Sequence, residues 1–132
     1  MGNRAVLKFI DDKWQPTIYL HGNGERASVQ AFLNVAKEQR LRADSYGVAR
    51  MCQIIGNFFG GNLSLGCSKE ATDNGDNGIY LIRNFEIVGR EKFDGFEEID
   101  EEQTKLMTEY ILDLFKKLDE AREELDKLDK YK

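Results

Sequence analysis

The sequence predicts an α+β fold: a largely antiparallel sheet, two packed helices and one long C-terminal heptad helix. Three observations predict it. Five short apolar runs bounded by turn residues read as strands. Two stretches carry apolar residues at helical spacing. Residues 100–130 contain neither proline nor glycine and carry an unbroken a/d seam. The order is ββααβββ followed by the long helix.

Each element has a local reason. Arg4 to Ile10 (RAVLKFI) and Thr17 to His21 (TIYLH) are apolar runs on either side of a loop that holds the only proline, Pro16. A hairpin is their simplest connection. Gly22-Asn23-Gly24 breaks the chain, and Val29, Phe32, Leu33 and Ala36 mark a helix from Glu25 to Gln39. Asp44-Ser45 caps a second helix through Phe58, which Gly60-Gly61 ends. Asn62 to Leu65 reads as a short strand, and Gly66 to Gly78 as a polar loop. Ile79 to Ile82 and Phe85 to Val88 are two further strands joined near Arg83-Asn84, and Phe93 to Ile99 is mostly loop.

In the last helix Met107, Ile111, Leu114, Leu118, Ala121, Leu125 and Leu128 alternate by four and three residues. Tyr110 and Phe115 widen the stripe in its first half, which predicts packing on the sheet. A thirty-residue helix is about 45 Å long, against a radius of gyration of about 14 Å for a domain of this size. The far end therefore leaves its own domain and offers Leu125 and Leu128 to a partner helix. The expected organisation is an α+β ligand-binding body over 1–99 and a helix over 100–132 for packing and homo-oligomerisation, one structural domain overall. A long solvated helix folded back along its own domain is the other reading.

Composition narrows the function. The 132 residues carry a net charge of -5, but its distribution is uneven. Residues 1–99 hold 12 Lys+Arg against 13 Asp+Glu, and residues 100–132 hold 7 against 11. Seven of the eight arginines lie in the body. The large basic excess of a duplex-binding domain is absent, whereas a small anion held by two or three arginines fits. No apolar run is long enough to span a membrane, and the N-terminus is unlike a signal peptide. Cys52 and Cys67 match no zinc or CxxC pattern. A reduced, cytoplasmic chain is expected.

Several segments could carry chemistry. Gly22, Asn23 and Gly24 precede a helix whose first turn holds Arg26, the arrangement of an anion cradle; a plain hairpin exit is the alternative. Asn57-Phe58-Phe59-Gly60-Gly61-Asn62 sets two aromatics beside two glycines, a platform for a flat ring. Equally, Phe58 is core and Phe59 a staple under the next strand. Asp73 to Gly78 lacks the spacing of a calcium loop and reads as tight turns. Asn77, at the mouth of a strand, is placed to read a base or a ribose hydroxyl. Trp14, in a loop, is placed to close over a ligand. His21, Cys52 and Cys67 are the nucleophile candidates, with Cys52 on an apolar helix face where an inert thiol is usual. No metal, no cofactor and no catalytic residue is assigned.

Gly2-Asn3-Arg4-Ala5-Val6, Ile18-Tyr19-Leu20-His21, Tyr46-Gly47-Val48-Ala49-Arg50, Ile55-Gly56-Asn57-Phe58-Phe59-Gly60-Gly61, Asp76-Asn77-Gly78-Ile79-Tyr80 and Ile87-Val88-Gly89-Arg90 together resemble a family of small phage and prophage proteins. It is the first Thoeris anti-defence family, sponges of cyclic ADP-ribose signals. The resemblance covers residues 2–92. It implies an antiparallel sheet with long C-terminal helices, oligomers with pockets at subunit interfaces, and capture of glycocyclic ADP-ribose without cleavage. Some members also hold cyclic oligonucleotides. Its binding residues, placed by motif position, are Arg50, Phe59, Asn77 and Arg90, with Asn57 beside Phe59. The short loop at 66–77 lacks an aromatic, a departure from the family pattern.

The expected function is therefore a phage anti-defence protein of the infected bacterial cytoplasm. It would sequester a cyclic nucleotide signal, with no nucleic acid duplex and no membrane as partner. The alternatives are an adaptor or inhibitor that binds protein through the acidic helix, and a small nucleotide-acting enzyme.

Overall fold

The structure, a computed structural model, describes residues 3–11, 13–60, 65–68, 76–97 and 99–128. Its elements are β1 (Ala5–Phe9), β2 (Thr17–Leu20), α1 (Arg26–Glu38), α2 (Ser45–Phe59), β3 (Leu65–Ser68), β4 (Ile79–Arg83), β5 (Glu86–Glu91) and α3 (Glu101–Asp126). The sheet order is β3-β2-β1-β4-β5. β1 and β4 run parallel, and the other three pairings are antiparallel. The mixed α+β class and the long last helix are as the sequence predicts.

Period-two alternation sorts the strands into two faces. Ala5, Leu7, Phe9, Ile18, Leu20, Tyr80 and Ile82 join one core with the helices. Val6, Lys8, Thr17, Tyr19 and Leu81 belong to the other face by register. α1 is buried almost all round, through Ala27, Val29, Ala31, Phe32, Leu33, Val35 and Ala36. Such a helix needs neighbours on several sides, and it touches α2, α3 and β5. The caps follow the sequence. Asp44 accepts from the N–H groups of Tyr46 and Gly47 at 3.0 and 3.2 Å, and Asp100 from that of Gln103 at 3.0 Å. Gly60 closes α2 with φ +65°.

Four expectations are corrected. First, α3 packs mainly on α1, with α2 beside it, rather than on the sheet. Met107 and Ile111 enter the core, Met107 Sδ lies 3.2 Å from the Ser28 hydroxyl oxygen, and the Tyr110 ring meets Phe58 edge-on. α1, buried almost all round, takes the first half of α3 as one of its neighbours. Second, the strand expected at Asn62–Leu65 lies at Leu65–Ser68; residues 61–64 fall outside the described residues. Its position is set by the free edge of β2, where Leu65 and Cys67 pair with Leu20 and Ile18. Third, Phe85 is not a strand residue. Asn84 and Phe85 form a two-residue turn with φ of 52° and 60°, the hairpin geometry that matches strand twist. The Phe85 ring is buried, 6.3 Å from Phe9, which holds this bulky residue in the left-handed region. Fourth, β5 runs on to Glu91, past a bulge opposite Leu81/Ile82.

Candidate functional site

The extension of β5 creates the site. Tyr80 and Arg90 are partners across the β4–β5 ladder and share the helix-covered face. Tyr80 is fully buried, and its hydroxyl donates to the Gly24 carbonyl at 2.7 Å. Its ring lies 3.9 Å beneath the Arg90 guanidinium, and the Phe93 ring lies 3.7 Å from the same group. A guanidinium between two aromatic planes is fixed and desolvated. Arg90 Nη2 donates to the Asn77 carbonyl at 2.7 Å and Nη1 to a Glu97 carboxylate oxygen at 2.6 Å. Its Nε is buried with no hydrogen-bond partner among the described residues.

Arg26, at the first position of α1, donates to the other oxygen of the same Glu97 carboxylate. Two guanidiniums thus meet on one carboxylate. The Arg90 side chain is only 10% exposed and that of Glu97 is 36% exposed. Burial holds Arg90 below the usual arginine range, and Arg26 adds to this while Tyr80 opposes it. Burial likewise pushes the Tyr80 hydroxyl up to about 12, against the lowering pull of Arg90 and Arg26. A cleft of about 250 Å³ opens here, lined by Glu25, Arg26, Asn77, Arg90, Phe93 and Phe96 and floored by α3 at Asp100 and Gln103. Phe96 is 96% exposed at its lip.

Three of the sequence-predicted residues meet in this cleft: Asn77 and Arg90 from the motif set, and Arg26 from the Gly22–Gly24 set. Asn77 serves partly as scaffold, its amide donating to Asn3 Oδ1 at 2.7 Å and to the Arg4 carbonyl at 3.0 Å. The Gly24 N–H is already bonded to the Asn3 carbonyl at 2.8 Å. The Glu25 carboxylate accepts from Ser28 Oγ and Asn3 Nδ2 at the start of α1, so the protein's own anion sits at that helix end. Arg50 lies on the exposed side of α2. Asn57 borders a different groove with Leu114, Lys117 and Leu118. Phe59 packs edge-on against Phe58, its ring 3.8 Å from where a Gly22 Cβ would be. The crevice beside Trp14 holds about 10 Å³, room for one water at most.

His21 packs edge-on to Tyr19, whereas Cys67 pairs with Ile18 and points to the helix-covered face. His21 is therefore not brought to the two cysteines. Of the Asp73–Gly78 loop, residues 73–75 lie outside the described residues. Sequence reasoning missed Tyr80, Phe93, Phe96 and Glu97. The available signal was an aromatic pair bracketing Asp-Gly and followed by acids, in a stretch read only as loop.

Among the described residues no helix is long and apolar enough to cross a membrane. No family model, curated protein or solved structure matches this chain.

Proposed function

We propose that the protein captures a small anionic nucleotide and does not convert it, with the Arg26–Arg90 pair as the phosphate seat. The observation that supports this reading is the shared Glu97 carboxylate: its two oxygens stand where two oxygens of a phosphate would. Phe93 and the exposed Phe96 supply ring faces beside it. The nucleotide class follows the sequence resemblance, a cyclic ADP-ribose type signal sequestered by a phage anti-defence protein.

The cleft, at about 250 Å³, is smaller than the roughly 300–1,000 Å³ of a complete ligand pocket. It would seat the phosphates and part of a sugar, with the remaining wall from a second copy. α3 floors the cleft and also carries the exposed Leu118 and Leu125, with the exposed Leu128 just past its end, which favours a homo-oligomer through this helix. The same exposed leucines favour the second reading, an acidic helix that holds another protein.

The test is to mix the protein with cyclic ADP-ribose isomers, filter, heat and chromatograph. Unchanged nucleotide, depleted from the filtrate and released by heat, is the expected result. Arg26→Ala should weaken capture by about tenfold or more. No depletion with any isomer sinks the nucleotide reading, and more product than protein sinks non-catalytic capture.

A further inference from the structure

Cys52 and Cys67 lie 15 residues apart and match no motif, yet the fold brings them together. β3 is an edge strand whose Leu65 and Cys67 pair with Leu20 and Ile18, two fully buried core residues. Alternation then turns Cys67 toward the helices, and Leu65 on the same face packs against the core. From the other side, Cys52 on α2 packs partly buried against the same core. α2 runs alongside β2, with Val48 beside Pro16 at one end and the Phe59 ring beside Gly22 at the other, which sets Cys52 near the level of Ile18 and of Cys67, its partner across the ladder. Cys67 is solvent-exposed and Cys52 half-buried.

We propose that Cys52 and Cys67 form a thiol–disulfide exchange site for small-molecule disulfides, which closes to a bridge between α2 and the edge strand β3. The exposed Cys67 thiolate attacks one sulfur of RS–SR, forming a Cys67–SR mixed disulfide and expelling RS⁻, which takes up a proton. Cys52 then loses its proton and attacks the Cys67 sulfur, forming the Cys52–Cys67 bond and expelling the second RS⁻, again protonated. Two protein thiols are oxidised to one disulfide, and one small disulfide is reduced to two thiols. Accessibility sets the order of attack. Burial, and then the neighbouring Cys67 sulfur, push the Cys52 thiol above its usual range and leave it the resolving partner. The bridge would tie down edge strand β3, at the opposite edge of the sheet from β5 and its Arg90, so the inference stands apart from the proposed nucleotide capture.

The experiment incubates the reduced full chain with glutathione disulfide, quenches with N-ethylmaleimide, and reads intact mass and a peptide map. The native chain should lose both alkylation sites and about 2 Da, retain no glutathione, and yield one linked peptide joining Cys52 to Cys67. Cys52→Ser should trap one glutathione on Cys67, and Cys67→Ser should leave Cys52 reacting about tenfold more slowly. A native chain that keeps glutathione on Cys67 with Cys52 still alkylatable, or that links only between chains, overturns the proposal. The native peptide map decides this even if a serine variant fails to fold.

Discussion

Arg90 faces Tyr80 across the β4–β5 ladder, its guanidinium 3.9 Å from the centre of the Tyr80 ring. The contact does two things. It covers a buried phenol whose hydroxyl is anchored to the Gly24 carbonyl, immediately before α1. It also fixes the plane of the guanidinium, so that Nη1 points at the carboxylate shared with Arg26. One cation thereby couples the sheet edge, the start of α1 and the Phe93–Glu97 segment.

Arg90→Lys should destabilise the fold by about 2 kcal/mol in urea unfolding. Lysine keeps the charge but has no plane to lie between Tyr80 and Phe93, and it cannot reach Asn77 and Glu97 together. A control at Arg50, on the exposed side of α2, should stay within about 0.5 kcal/mol. Equal effects at the two sites would show that the stacked geometry contributes nothing.

Glu97→Gln should raise affinity for inorganic pyrophosphate by about tenfold in calorimetry. The variant removes the negative charge that now competes for the two arginines. Its cost to the fold should be small, about 1 kcal/mol or less, because the carboxylate is partly solvated. The gain should shrink at high salt. Unchanged affinity would mean that Glu97 does not occupy the anion seat.

Stability should fall as pH rises from about 10 to 12. The Tyr80 hydroxyl is held protonated up to about 12 in the fold, against about 10 for an ordinary tyrosine. Its raised value contributes stability that is complete below the unfolded pKa and lost as pH climbs through the folded one. The loss should reach about 2 kcal/mol, trimmed by Arg90, whose lowered value acts in the opposite sense. Tyr80→Phe should flatten this alkaline limb in pH-dependent denaturation, and an unaltered limb would assign it elsewhere.

Two helical glycines separate packing from propensity. A Cβ on Gly47 would lie 1.6 Å from the Arg42 carbonyl oxygen, so Gly47→Ala must displace the start of α2 and should cost about 3 kcal/mol. A Cβ on Gly56 meets nothing within 4 Å. Gly56→Ala should therefore stabilise by about 0.5–1 kcal/mol, the ordinary helix preference. Thermal unfolding reads both signs.

Legibility in the sequence follows the range of the forces involved. Asp44, Asp100 and Gly60 act within one helical turn, and the helix ends they set were readable. The position of β3 depends on the open edge of β2, some 45 residues earlier, and was misplaced. Phe85 looks like a strand residue by propensity, yet burial against Phe9 overrides its backbone preference. In the site, Arg26 and Arg90 were each singled out, but in separate sets, because only the Tyr80–Gly24 bond and the β5 extension bring their elements together. Glu97 had no periodicity to mark it, only its place after the Phe93–Phe96 pair.

The two halves of α3 should respond differently to charge. Met107 and Ile111 are buried against the body, whereas Leu118 and Leu125 are 46% and 39% exposed along the same seam, and Leu128, in the turn after the helix ends at Asp126 rather than at 130, is 48% exposed. Ile111→Glu should unfold the protein, since it buries a carboxylate in the core. Leu125→Glu with Leu128→Glu removes no contact to the body and should leave thermal stability of the monomer within about 0.5 kcal/mol. If the seam pairs with a second copy, light scattering should show the double variant at half the native mass or less. Should the native chain already scatter as a monomer, the homo-oligomer is wrong, and the exposed leucines belong to the reading in which α3 holds another protein.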